Sequence, residues 1–249
     1  MKALALEFYK TRGRKVWLVV FALIAVQLLW MLWSLRNMRE QKLDTGWMYF
    51  LYEFPALNTL MMPVIAAVVA SRLCDTEHQG RTLKLLKTVM PAGRLFGAKF
   101  LCGSAYMAAA AVFQVAMMLL GGSLKGFRGA VPAQKYLLYL LFTVSVSLTL
   151  LLFQQVFSLL AENQMIPLAV GLIGAFAGVF LMFLPKQLSY LLPWGYYMVL
   201  EGVSLEWNKA AGIVRYHYVP DNWFGLAVLA AVFLVIYLTG RFLFIKKEV

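Results

Sequence analysis

Six apolar runs decide what this chain can fold into. They cover residues 16–35, 54–73, 95–120, 136–160, 165–184 and 223–244 of a 249-residue sequence. A helix needs roughly 20 apolar residues to cross about 30 Å of hydrocarbon, and each run reaches that length. Barrel strands would be shorter and would alternate polar with apolar positions. Composition agrees: 62% of residues are apolar and 14% charged, against about 45–50% and about 25% in ordinary soluble domains. The expected fold is an all-α integral membrane protein, six transmembrane helices forming a single domain over residues 1–249. The first run is too long for the core of a cleaved signal peptide and no small-x-small site follows it, so it is expected to remain as the first helix.

Charge then suggests an orientation. The net charge is +12, but the basic residues flank the runs and do not gather on one soluble face, so nucleic acid is not an expected partner. With six spans both termini share a side. That side collects Lys2, Lys10, Arg12, Arg14, Lys15, then Arg72, Arg81, Lys84, Lys87, Arg94, Lys99, then Arg241, Lys246 and Lys247. These are 14 of the 23 Lys and Arg residues, leaving 9 for the other side. Positive residues favour the cytoplasm, so both termini are expected there, in a bacterial plasma membrane. Cys74 and Cys102 then fall near the reducing face, with no disulfide or metal-ligand spacing.

The polar exceptions carry most of the functional information. Residues 1–15 form an amphipathic entry segment, with apolar Leu4, Leu6, Phe8 and Tyr9 beside charged Lys2, Glu7 and Lys10. Glu53 stands at the outer end of the second run, and Pro63 is expected to kink that helix. Gly171, Gly174 and Gly178 let helix backbones approach closely. Gln154, Ser158 and Glu162 are four apart and share a face. Gln154 is expected to hydrogen-bond a packing partner or to face a substrate path. Between the fifth and sixth runs, Pro193 and Gly195 interrupt "LSYLLPWGYYMVLEG", which suggests a helix–break–helix dipping into the outer leaflet. There Trp194, Tyr196 and Tyr197 would serve as interface anchors or face substrate.

The most basic internal stretch, "CDTEHQGRTLKLLKTVMPAGRLFGAKF", occupies residues 74–100. On a helical wheel Leu83, Leu85, Leu86, Val89 and Met90 share one arc, and Arg81, Lys84, Lys87 and Thr88 the other. Pro91 and Gly93 end the helix after about ten residues. Too short to span, it belongs at the cytoplasmic surface, on lipid headgroups or docked to a partner.

The series Glu77, Gly80, Thr82, Lys84, Leu85, Leu86, Pro91, Arg94, Lys99 resembles the cytoplasmic loop of type-2 ABC exporter permeases, lantibiotic self-protection permeases in particular. "LEFYKTRGRK" (residues 6–15) looks like that family's elbow helix with an acidic and basic pair. Residues 162–197 look like its fifth helix and outer re-entrant segment. Leu83 stands where the family's loop has an aromatic residue. The resemblance implies that Glu77, Gly80, Thr82, Leu83, Leu85, Leu86, Val89, Met90, Pro91 and Arg94 couple the chain to a cytoplasmic ABC ATPase, in two copies. It implies a second related permease, or a second copy of this one, completing the path through the lipid. It implies a cationic peptide substrate, a lantibiotic, with bacitracin-like peptides, drugs or lipids as alternatives. Glu53, Gln154, Trp194, Tyr196 and Tyr197 are the candidate substrate-facing residues.

The chain has no G-x-x-x-x-G-K-[ST] phosphate loop. No cofactor is expected on it, and ATP and Mg would bind the partner ATPase. Intramembrane hydrolysis needs a positioned nucleophile and base, or a metal cluster. His78 and His217 are expected on opposite sides, and no H-E-x-x-H or G-x-S-x-G occurs. A sensor or scaffold without transport would share the same six spans.

Overall fold

Inside a bilayer the backbone has no water to bond, so each apolar run must satisfy its own N–H and C=O groups as a helix. The computed structural model, which describes residues 2–13, 15–80, 83–208 and 213–247, follows this rule. Helix α1 covers Lys2–Gly13, α2 Val16–Asn37, α3 Gly46–Gln79, α4 Leu83–Val89, α5 Ala92–Lys125, α6 Ala133–Leu160, α7 Met165–Leu181, α8 Tyr196–Val199 and α9 Trp223–Lys246. Strands β1 (Val203–Asn208) and β2 (Ile213–Tyr218) form an antiparallel hairpin in which Val203 pairs Tyr218 and Glu206 pairs Arg215.

Among the described residues, five helices are long and apolar enough to cross a membrane: α2, α3, α5, α6 and α9. The expected sixth span is the shorter α7, 17 residues, or about 26 Å at 1.5 Å per residue. Its run was expected to extend to residue 184, but Met182 to Leu184 leave the helix as turns. Helix α3 passes through both Pro55 and Pro63 as one 34-residue element.

The loops that join the helices are specified locally. Helix α5 ends at Gly126, whose φ of 79° is left-handed; Phe127 N–H bonds Gly122 O at 2.9 Å and Gly126 N–H bonds Ser123 O at 3.1 Å. This is the Schellman arrangement that glycine permits. It turns the Phe127 ring onto Trp47 and Phe50, with centroids 5.1 and 5.0 Å away. Asn222 caps α9 by accepting Gly225 N–H at 2.8 Å.

Packing divides the bundle into three apolar zones. A central one joins Met62, Ile65, Val69, Val146 and Leu150. An aromatic one gathers Trp47, Phe50, Phe54, Phe127 and Tyr136 near the hairpin. The third, at the end carrying both termini, gathers Cys74, Leu95, Phe96, Leu159 and Phe244. These ends are called the hairpin face and the terminal face below. Outward, Trp17, Phe21, Leu29, Leu32 and Trp33 on α2 and Leu234, Leu238 and Phe242 on α9 are exposed. So much apolar surface suits lipid or another protein and not water.

Helix α1 is amphipathic with its charged side turned inward. Leu6, Phe8 and Tyr9 are exposed, whereas Glu7 and Thr11 are buried at 1% and 2%. In hydrocarbon surroundings the charged face is the one that needs protein partners.

Candidate functional site

At the terminal face, four charges meet around the root of the α3–α4 loop. Lys10 Nζ lies 2.9 Å from Glu7 Oε1 and 2.8 Å from Glu77 Oε1. Lys99 Nζ lies 3.0 Å from Glu7 Oε2, bonds Glu77 Oε2, and donates to the Leu73 carbonyl at 2.7 Å. The Lys99 side chain is 0% exposed, and Glu7 and Glu77 are 1% exposed. Two carboxylates and two ammonium groups alternate, so the cluster is neutral and each carboxylate is held from both sides. That geometry makes the three buried charges tolerable beside the part-buried Lys10. It fastens α1 to α3 and α5. Tyr106 adds a bond from α5 to Thr11 Oγ1 of α1 at 3.0 Å.

Beyond Glu77 the chain turns at exposed Gly80 into α4. The apolar arc of this short helix is split. Leu86 and Met90 pack onto the terminal-face cluster of Cys74, Leu95, Phe96 and Phe244. Leu85 and Val89, one turn apart, are exposed at 64% and 73%. Thr88 uses its hydroxyl on the Leu85 carbonyl at 2.7 Å. Pro91 then caps α5, and Arg94 is exposed on its first turn. Leu83 opens α4, while Thr82 lies outside the described residues. Among the expected coupling residues, Glu77 is therefore a buried anchor and Leu86 and Met90 are packing contacts. Leu85 and Val89 offer a free apolar ridge.

A second polar network lies at membrane depth, contributed by four helices. Gln27 Nε2 donates to Asn58 Oδ1 at 3.1 Å, and Gln114 Nε2 donates to Gln27 Oε1 and to Asn58 Oδ1, each at 2.8 Å. Asn58 Nδ2 donates to the Tyr139 oxygen at 2.7 Å, and Tyr139 O–H donates to Gln114 Oε1 at 2.8 Å. Each amide meets partners on other helices, which joins α2, α3, α5 and α6 by bonds worth about 0.6–2 kcal/mol apiece in membranes. Sequence reasoning passed over these residues. Their signal was polar amides in the middle of runs that are otherwise apolar.

Helix α7 carries the close approach that its glycines predict. A Cβ on Gly171 would lie 2.5 Å from Ala67 Cβ of α3, and one on Gly174 would overlap the Trp194 indole. Trp194, Tyr196 and Tyr197, expected to face substrate or headgroups, are instead 6%, 1% and 4% exposed. The 3₁₀ turns at Lys186–Tyr190 and Pro193–Gly195 fold the segment back, so that Trp194 wedges between the α7 glycines and Phe153, 5.1 Å away. Tyr197 shares a hydrogen bond with Ser147 at 2.9 Å. A helix–break–helix was expected here; short turns, the four-residue α8 and the hairpin take its place. The bulk of the rings explains the inversion: burying such aromatics stabilises far more than leaving them at a boundary. Gly174→Val should therefore lower stability by about 1–3 kcal/mol through overpacking. Thermal unfolding of the detergent-solubilised protein measures this, and an unchanged midpoint would contradict the wedge.

Gln154 is 1% exposed. In the amide orientation that satisfies both of its ends, it donates to Pro167 O at 2.9 Å and accepts from Gly171 N–H at 3.2 Å, fixing α6 to α7. Ser158 is buried and Glu162 exposed. Glu53 stays at the side of α3 near the hairpin face, accepting from Trp30 Nε1 at 2.8 Å and Ser34 Oγ at 3.4 Å. At the same face Glu201 pairs with Lys186 at 3.2 Å, and burial pushes its carboxyl pKa up against the pull of that lysine. No group of three or more potential metal ligands occurs among the described residues.

Long apolar helices joined by buried polar contacts, with a short helix set between two of them, fit a multi-pass membrane protein. The ABC-2 family transporter protein model matches residues 3–178, from α1 into α7, and the chain belongs to that family. It is thus a permease subunit of an ABC transporter, a membrane transport component and not itself a catalyst, and membership of that family implies association with an ABC ATPase. No curated protein matches the chain.

Proposed function

We propose that this chain is the membrane subunit of an exporter that expels a cationic antimicrobial peptide of the lantibiotic class from the membrane. Its terminal face lies in the cytoplasm, as the 14 basic residues assigned to that side suggest, and α7 serves as the sixth span. The observation that carries the coupling half of this reading is α4, a short helix between two long spans that keeps Leu85 and Val89 uncovered. The ATPase would receive that ridge. Movement of α4 would pass into α3 and α5, and the Glu7–Lys10–Glu77–Lys99 cluster would carry α1 with them as one body. Two ATPases, holding ATP and Mg, and a second permease, related or identical, would complete the transporter. The peptide half rests on the likeness of residues 6–15, 74–100 and 162–197 to lantibiotic self-protection permeases.

The test is protection of living cells. Expression together with the ATPase should raise the minimum inhibitory concentration of a lantibiotic several-fold. An ATPase variant unable to hydrolyse ATP should remove the effect. Protection against bacitracin alone would move the substrate to another peptide class, and no protection against either would sink the peptide reading.

A further inference from the structure

Glu53 is a carboxylate without a counter-ion among the described residues. The acidic groups near the hairpin face divide into two sorts. Asp44, Glu201 and Asp221 each hold a basic partner, Arg128, Lys186 and Lys135, while Glu40 and Glu206 are exposed. Glu53 is half-buried, and among the described residues it has no cationic partner. Its neighbours are neutral donors: Trp30 Nε1 at 2.8 Å, Ser34 Oγ at 3.4 Å, and close by the Tyr49 hydroxyl, itself bonded to Ser34 at 2.7 Å. They orient the carboxylate without neutralising it.

The surroundings are aromatic. The rings of Trp30 and Trp33 stand 5.2 Å apart, and Tyr216 of the hairpin packs on Tyr49 at 6.0 Å and Tyr52 at 5.7 Å. Aromatic faces attract cations and repel anions. Trp30 also lines a groove of about 390 Å³ between α2 and α3, together with Val26, Gln27, Leu29, Trp33, Leu57 and Met61. Glu53, Leu57 and Met61 recur every four residues, so they form one ridge about 12 Å long at 1.5 Å per residue. A charge site thus heads an apolar track, and the track touches the four-helix amide network at Gln27.

We propose that this is a binding site for a cationic amphiphile: its ammonium or guanidinium group pairs with Glu53 among the aromatic rings, and its apolar body lies along the groove. Charge complementarity chooses this occupant over a neutral lipid tail, which offers nothing to the carboxylate; a second copy of the chain is the competing occupant that the test separates. The proposal rests on the reading of the chain as an exporter of cationic peptides and narrows that reading to a place and a chemistry.

The test needs no ATPase and can fail separately from export. The full chain in nanodiscs is titrated with bromododecyl-trimethylammonium, and with neutral bromododecanol, while tryptophan emission is followed. The ammonium compound should quench saturably, and the alcohol should show only the linear quenching of partition into lipid. Glu53→Gln keeps an acceptor for Trp30 and should raise the half-saturating concentration roughly tenfold, whereas Glu53→Asp should retain most of the affinity. Trp30→Phe with Trp33→Phe should remove most of the saturable amplitude. Equal saturable quenching by the alcohol, or no change in Glu53→Gln with an unaltered thermal midpoint, would overturn the site. So would efficient disulfide crosslinking of Trp33→Cys between copies in native membranes, since a second chain would then fill the groove. Saturable binding without protection of cells would leave this site standing and sink the peptide-export reading.

Discussion

Replacing Lys99 by methionine should be the most damaging single change at the terminal face. The side chain is 0% exposed and touches Glu7, Glu77 and the Leu73 carbonyl. Methionine fills similar space, so packing is largely kept and charge is what changes. Among the described residues Glu7 and Glu77 would then share Lys10 alone, leaving one buried negative charge without a partner. Breaking a buried pair in this way costs about 3–5 kcal/mol. The expected result is a large drop in unfolding midpoint, with early proteolysis near α1 as it separates from α3 and α5. Adding Glu7→Gln restores neutrality and should recover part of the loss. That recovery would be non-additive, as groups in one network require. An unchanged midpoint for Lys99→Met would show that the four charges are solvated from outside and do not hold the helices.

How much of this was legible in the sequence depended on whether one side chain or several had to be placed. Run length located the helices, because hydrocarbon allows the backbone few alternatives. Its failure at α7 is instructive: Leu181 to Leu184 are as apolar as the run before them, yet Pro185 sits just beyond and the backbone turns before it. The glycines of α7 announced a close approach, but not that Trp194 would be the group arriving. The hairpin was passed over because only the interrupted apolar stretch before it, residues 188–202, was read. Its alternation, Val203, Leu205, Trp207 and then Val214, Tyr216, Tyr218, is the period of a strand. Glu77 was grouped with the docking surface because it lies in the same loop. Its partner Lys99 is distant in sequence, and Lys10 comes from another helix altogether. A helical wheel likewise shows which residues of α4 share an arc, but not which edge of that arc the bundle covers.

That split arc yields the second large prediction. Leu85→Asp together with Val89→Asp should leave folding nearly intact, since both side chains are mostly exposed at 64% and 73%. If the ATPase covers this ridge, two carboxylates would be buried against it without partners. At about 2–4 kcal/mol for an unpaired charge at an interface, affinity should fall roughly 30-fold or more. The ATPase should no longer co-purify with the permease, and protection of cells should vanish while membrane insertion and unfolding midpoint stay close to the parent's. Leu86→Asp gives the opposite pattern. Leu86 packs against the terminal-face cluster, so the change should lower the midpoint first and weaken ATPase binding only as α4 detaches. Two measurements on each variant, thermal midpoint and retention of the ATPase on an affinity column, separate the two edges of the helix. Full retention by Leu85→Asp/Val89→Asp would mean that the ridge meets lipid headgroups and that the ATPase docks elsewhere. Loss of retention by Leu86→Asp with an unchanged midpoint would mean that α4 turns over when the partner binds, presenting the edge that now faces the bundle.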